Sequence, residues 1–168
     1  MQKSNYTKFI LMLLCSGIAM YITMYFNTYE FSHVYFSWTR MYMTIIGVSA
    51  MAIIMLLFMI KMYASKIKNA AIFTMSIFLI CLSTFLVRQQ IPINDITWME
   101  AMIPHHSIAI LTSNRANFED PEVKKLAKNI IKAQEEEIAD MKKMIKRLKN
   151  NKKYKKWTTS LQRAKKST

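Results

Sequence analysis

The chain has 168 residues, a formal net charge of +14 and a hydrophobic fraction of 52%, with the apolar and the charged residues largely segregated. Two glycines and three prolines are too few for a turn-dense β fold, which points to long helices. The two cysteines, Cys15 and Cys81, both lie in apolar runs and so exclude a disulfide framework or a thiolate metal cluster.

Three segments read as membrane spans: residues 9–26, 41–60 and 70–87. Each is uncharged and approaches the roughly 20 apolar residues that cover about 30 Å of hydrocarbon as a helix. The first follows Lys3 and Lys8 as a signal peptide would, but a bulky "MYFNTYEF" follows it in place of a small-residue cleavage site. It is therefore expected to be retained. Lys61, Lys66 and Lys68 fill the second connection, whereas the first offers only Arg40. This asymmetry predicts a cytoplasmic N-terminus and an extracytoplasmic C-terminal domain in an integral cell-membrane protein. The aromatics of "YEFSHVYFSW" suit the membrane–water interface. Met51, Met55, Met59 and Met62 recur at helical spacing, and flexible gap-filling between spans accounts for them.

Residues 1–90 thus form a membrane domain, followed by a helical hairpin over 91–149 and a basic tail over 150–168. The first hairpin helix is predicted over 95–113, with Asn94 or Asp95 as its cap. The second is predicted over 121–149, where Asp120 caps and Pro121 takes the first helical position. On a helical wheel, Val123, Leu126, Ala127, Ile130, Ile138, Met141, Ile145 and Leu148 share one stripe, joined by Gln134 and Glu137. On the first helix Met99, Met102, His106 and Ala109 share a face, with His105 on its shoulder. Pro104 removes a hydrogen bond within that helix, and a kink is expected just before the two histidines.

The inward faces bring thioethers, imidazoles, an amide and a carboxylate together. Each such polar group costs about 1–3 kcal/mol if buried without a partner. Thioether and imidazole without thiolate is a soft, neutral donor set that suits cuprous copper and binds zinc, magnesium or calcium poorly. The candidate metal ligands are Met99, Met102, His105, His106 and Met141, with Gln134 and Glu137 as outer partners that orient the imidazoles. With Ser113 level with Pro121, His106 would face Lys128 and Met102 would face Lys132. Met141 then falls about 14 Å from the level of Met102. It would serve a second site or complete one in a partner hairpin, so at least a dimer, closing a four-helix bundle, is expected. The metal-free alternative is a tethered oligomerisation module with hydrogen-bonded histidines. An enzyme is disfavoured, since no nucleophile and no full di-iron carboxylate set is present.

"MIPHHSIAI" followed by "DPEVKKLAKNIIKAQEEEIADM" resembles the domain of unknown function 305 family, which includes CopM-like copper-binding proteins. The shared positions run from Asp95 and Met99 through Met102, Pro104, His105 and His106 to Gln134, Glu137, Ile138 and Met141. The resemblance implies an all-α, ferritin-like bundle and, for some members, copper held by methionine and histidine. The expected role is a membrane-anchored copper protein for storage, resistance or delivery. Residues 142–168 carry twelve basic side chains and no acid. They form either a solvated end or an attachment to anionic lipid headgroups. The predicted orientation leaves no nucleic acid within reach.

Overall fold

The computed structural model describes residues 2–151, all helical apart from turns and short connections. In chain order these are α1 (Gln2–Thr23), a 3₁₀ turn (Phe31–His33), α2 (Trp38–Phe58), a second 3₁₀ turn (Ile60–Met62), α3 (Lys66–Gln89), α4 (Asp95–Arg115) and α5 (Pro121–Asn150). They fall into two compact units. Residues 2–26 and 37–93 make one; residues 27–36 join residues 94–151 in the other.

In the first unit α2 packs against both α1 and α3. Asn5–Thr23, Trp38–Phe58 and Lys66–Gln89 are long and apolar enough to cross a membrane. These helices run past the predicted limits where Arg40, Lys66 and Arg88 occur. Hydropathy falls at a charge, but backbone hydrogen bonding continues through it and a long basic side chain can reach out to the interface. The first helix, by contrast, stops at Thr23, three residues short of the predicted end. Ile10, Leu14, Ile18 and Ile22, spaced by four, form an exposed row on α1, as a lipid-facing stripe requires. Helix contact is made by small groups instead. Ser49, Ser76 and Ser83 are buried, and a Cβ added at Gly47 would lie 3.0 Å from the Met20 sulfur. Close backbone approach through small residues is how helices associate where the hydrophobic effect is absent.

A compact cluster closes one end of this unit, where Phe9 and Leu56 are almost fully buried with Tyr6, Ala52 and Tyr63. The Tyr6 hydroxyl donates to Asn69 Oδ1 at 2.7 Å, and Asn69 Nδ2 donates to the Tyr63 carbonyl at 2.8 Å. At the other end Arg40 donates to the Met24 carbonyl and lies over the Tyr25 ring.

The second unit is a hairpin with an extra layer. Asn94 caps α4 reciprocally: its Oδ1 accepts from Thr97 N at 3.0 Å while its N–H donates to Thr97 Oγ1 at 2.8 Å. Asp120 caps α5 by accepting from Glu122 N and Val123 N, and Pro121 follows at the first position. The helix α4 continues through Pro104 to Arg115. The core is Ile96, Met99, Ile103 and Ile110 from α4 against Ile138, Met141 and Ile145 from α5.

Two expectations are corrected here. Residues 121–126 are exposed throughout, Val123 at 44% and Leu126 at 58%, so these two do not belong to the inward stripe. The reason is register. His106 meets Glu137, not Lys128, nine residues further along α5, and Glu100 meets Lys149 at 2.7 Å. The connection between the helices begins and ends in extended backbone, at Ala116 (ψ 141°) and Asp120 (ψ 127°). It thereby carries the start of α5 beyond the end of α4. A tight turn, which would set Ser113 level with Pro121, is absent.

The extra layer is the stretch 27–36, which precedes α2 in sequence. The Tyr29 N–H donates to Ser107 Oγ at 2.7 Å, Asn114 Nδ2 donates to the Tyr29 hydroxyl at 3.1 Å, and Lys142 Nζ donates to Ser32 Oγ at 3.3 Å. Tyr35 packs on the hairpin core. Of the basic tail, residues up to 150 belong to α5, and those from 152 lie outside the described residues.

Candidate functional site

The α4 segment Pro104–Ser107 turns four consecutive side chains to different surroundings. Pro104 and Ser107 are buried, His105 is exposed, and the His106 side chain retains 14% of its exposure. His106 Nδ1 lies 3.0 Å from the Met102 carbonyl, four residues earlier. A carbonyl only accepts, so Nδ1 carries a proton. His106 Nε2 lies 2.8 Å from Glu137 Oε2, and the same oxygen accepts from Gln134 Nε2 at 3.2 Å. Both imidazole nitrogens are thus engaged, one by a main-chain acceptor and one by a carboxylate that is itself held. A metal at His106 must therefore take the place of the proton between Nε2 and Glu137.

Behind this chain of contacts lie the sulfurs. Met99 and Met141 are each 5% exposed within one core cluster, and Met102 packs on its edge. This corrects the separation of Met141 from the other methionines. The nine-residue displacement of α5 brings Met141 level with Met102, in the core cluster that also holds Met99, within a single hairpin. His105 stands apart: its ring centroid is 6.3 Å from that of His106, in an edge-on arrangement, and its side chain is exposed. Among the described residues no three His, Cys, Asp or Glu side chains converge on one metal position.

The buried Ser107 leads to residues that sequence reasoning missed. Its Oγ, besides accepting from Tyr29, lies 2.9 Å from His33 Nδ1. His33 is itself buried, with Nε2 3.7 Å from Glu30 Oε2. Burial pushes the imidazole below its ordinary value of 6.5, Lys142 adds to the fall, and Glu30 opposes it. The aromatic richness of "YEFSHVYFSW" had suggested only a membrane interface. The available signal was Ser107, a small polar residue in the sector of α4 occupied by Ile103 and Ile110, which needs a partner from elsewhere in the chain.

The architecture defines a class: a helical hairpin, layered by an upstream loop, carried on three membrane-type helices. A family model described as a domain of unknown function (DUF305) matches residues 95–168. Uncharacterized protein L153 of Acanthamoeba polyphaga mimivirus is 32% identical over 142 residues, covering 82% of this chain and 90% of the relative. The chain belongs to the DUF305 family. The likeness to the mimivirus protein is longer than the matched domain, so it includes part of the membrane unit as well. No solved structure matches the chain.

Proposed function

We propose that this protein is a non-enzymatic, membrane-anchored metal-binding protein whose hairpin faces the extracytoplasmic side and holds cuprous copper for storage, resistance or delivery. The observation that supports it is the gathering of Met99, Met102 and Met141 in one packing layer, with Met102 adjoining His106. Three thioethers and an imidazole are the donors a soft monovalent ion prefers. The Met102 carbonyl then orients His106 through Nδ1, Glu137 and Gln134 stand as outer partners beside the nitrogen the ion would take, and exposed His105 offers a first point of attachment at the surface. Bound copper would supply no chemistry beyond its own storage and exchange.

Anaerobic titration of the detergent-solubilised protein with cuprous ion, in competition with a chromophoric chelator, tests this reading. Replacing Met99, Met102 and Met141 by leucine preserves volume, and His105→Ala/His106→Ala removes the imidazoles. Both variants are expected to bind copper at least about tenfold more weakly; wild-type affinity in both ends the copper reading.

One observation favours a second reading. Both His106 nitrogens have partners within 3.0 Å, as a metal-free structural module would require. That module would bind neither cuprous ion nor its analogues, and would lose thermal stability on His106→Ala with or without copper. In either reading Val123 and Leu126, exposed on the overhanging start of α5, are the surface through which a second copy would assemble. The basic residues from Lys142 onward would lie against anionic lipid headgroups.

A further inference from the structure

Glu30 and His33 lie three residues apart on a 3₁₀ turn, Phe31–His33, for which Glu30 is the cap residue. With three residues per turn, side chains at that spacing stand on one face. Their functional atoms, Glu30 Oε2 and His33 Nε2, are 3.7 Å apart. That is too far for a hydrogen bond but near the separation of about 3.4 Å between two ligand atoms of a tetrahedral ion with bonds of 2.0–2.2 Å. Glu30 is exposed, and its Oε2 accepts from Ser32 Oγ at 3.0 Å, a surface contact that an ion between the two ligands would have to displace.

The histidine is prepared for such a role. Its side chain is 9% exposed, and Nδ1 is fixed by Ser107 Oγ, itself fully buried and held by the Tyr29 N–H. Nε2 makes no hydrogen bond among the described residues, and His33 lines a cleft of about 250 Å³ together with Glu30, Ile110, Glu135, Ile138 and Lys142. An imidazole with its far nitrogen held by the fold and its near nitrogen open beside a carboxylate is the arrangement that orients metal-binding histidines.

We propose that Glu30 and His33 form a chelate for a divalent cation of the zinc or cupric type, with Glu135 at the cleft's edge as the nearest further carboxylate. No third side chain among the described residues already stands at the ion's position. Two protein ligands with the other positions open make an exchangeable site, suited to acquisition or handover. The donor set is nitrogen and oxygen, distinct from the sulfur-rich cluster around His106, so the two sites sort ions by hardness. Lys142, which reaches over the cleft to Ser32, weakens the site electrostatically.

Zinc is the discriminating probe, because thioethers bind it poorly. Full-length protein in detergent is titrated with Zn²⁺ against a fluorescent chelator. Glu30→Gln is expected to weaken binding about tenfold or more and Lys142→Gln to strengthen it several-fold, while His105→Ala/His106→Ala leaves it in place. Both side chains changed here are polar and lie at the rim, so folding is not the variable, as it would be for His33→Ala. The proposal is overturned if Glu30→Gln binds zinc as wild type does, or if zinc binding disappears with His105 and His106. Wild-type cuprous affinity in the methionine and histidine variants, with zinc binding lost in Glu30→Gln, would overturn the copper reading alone.

Discussion

Ser107 is the residue on which the second unit's layers meet. One hydroxyl oxygen serves the Tyr29 N–H and the His33 imidazole, and both partners come from a segment more than seventy residues upstream. Ser107→Ala leaves the buried His33 nitrogen unpaired, a loss of about 1–3 kcal/mol, and removes the acceptor of the part-buried Tyr29 N–H. A fall of several degrees in the thermal midpoint is the expected readout. His33 adds a pH dependence. Its proton affinity is lower in the folded protein than in the unfolded chain, so the unfolded state takes up the proton first. The stability from the docked loop is full above the ordinary value of 6.5 and is lost as pH falls below it. In chelator-treated protein, the thermal midpoint should decline between pH 7.5 and 5.5 more steeply for wild type than for His33→Gln. Equal slopes would show that His33 does not carry the effect. At this scale the sequence was legible for Gln134 beside Glu137, since side chains one helical turn apart share a face whatever the register, but not for the pairing of His106 with Glu137. It was silent on His33, whose partner is distant in the chain.

At the level of elements, the caps were readable because they depend on three or four adjacent residues. Asn94 before Thr97 and Asp120 before Pro121 act locally. The pairing of α4 with α5 was not readable, because it depends on how far the connection climbs. Residues 116–120 contain no strict turn signal, and their extended ends shift the partner helix by nine residues. The buried arc of α4 is also displaced from that of a two-helix wheel. A lone hairpin would bury Met102, His106 and Ala109, whereas the stretch 27–36 draws Ser107 and Ile110 inward. The first six residues of α5 are exposed and depend on their cap. Asp120→Ala should cost about 1 kcal/mol or less, within the range of 0.5–2 kcal/mol for such caps, because little tertiary structure rests on that turn. Hydrogen exchange should accelerate at the amides of residues 122–126 and remain unchanged at 138–148; acceleration across the whole helix would contradict the overhang.

For the molecule as a whole, the division into units does not follow chain order. The hairpin unit includes ten residues that come before α2, so two spans are inserted into it. If α1, α2 and α3 each cross the bilayer once, residues 27–36 and the hairpin share a side by parity. Single cysteines placed at Ser32 and at Asn117 should then react with a membrane-impermeant reagent from the same side. A cysteine at Ser65, between α2 and α3, should react from the other. The orientation proposed above puts the first two outside; labelling of residues 32 and 117 from opposite sides would break the architecture. Three helices long and apolar enough to cross a membrane were legible from uncharged length alone, since a bilayer imposes a simple count on any sequence. The joining of a loop to a distant helix has no such counting rule.

The dependence of one serine on a remote loop also bears on how the domain can be reused. A hairpin of this family borne on some other anchor would have no equivalent of Tyr29 and His33 to occupy the hydroxyl. Such homologues should carry alanine or a similarly undemanding residue where this chain has Ser107, and grafting the hairpin alone onto a foreign anchor should require the same exchange.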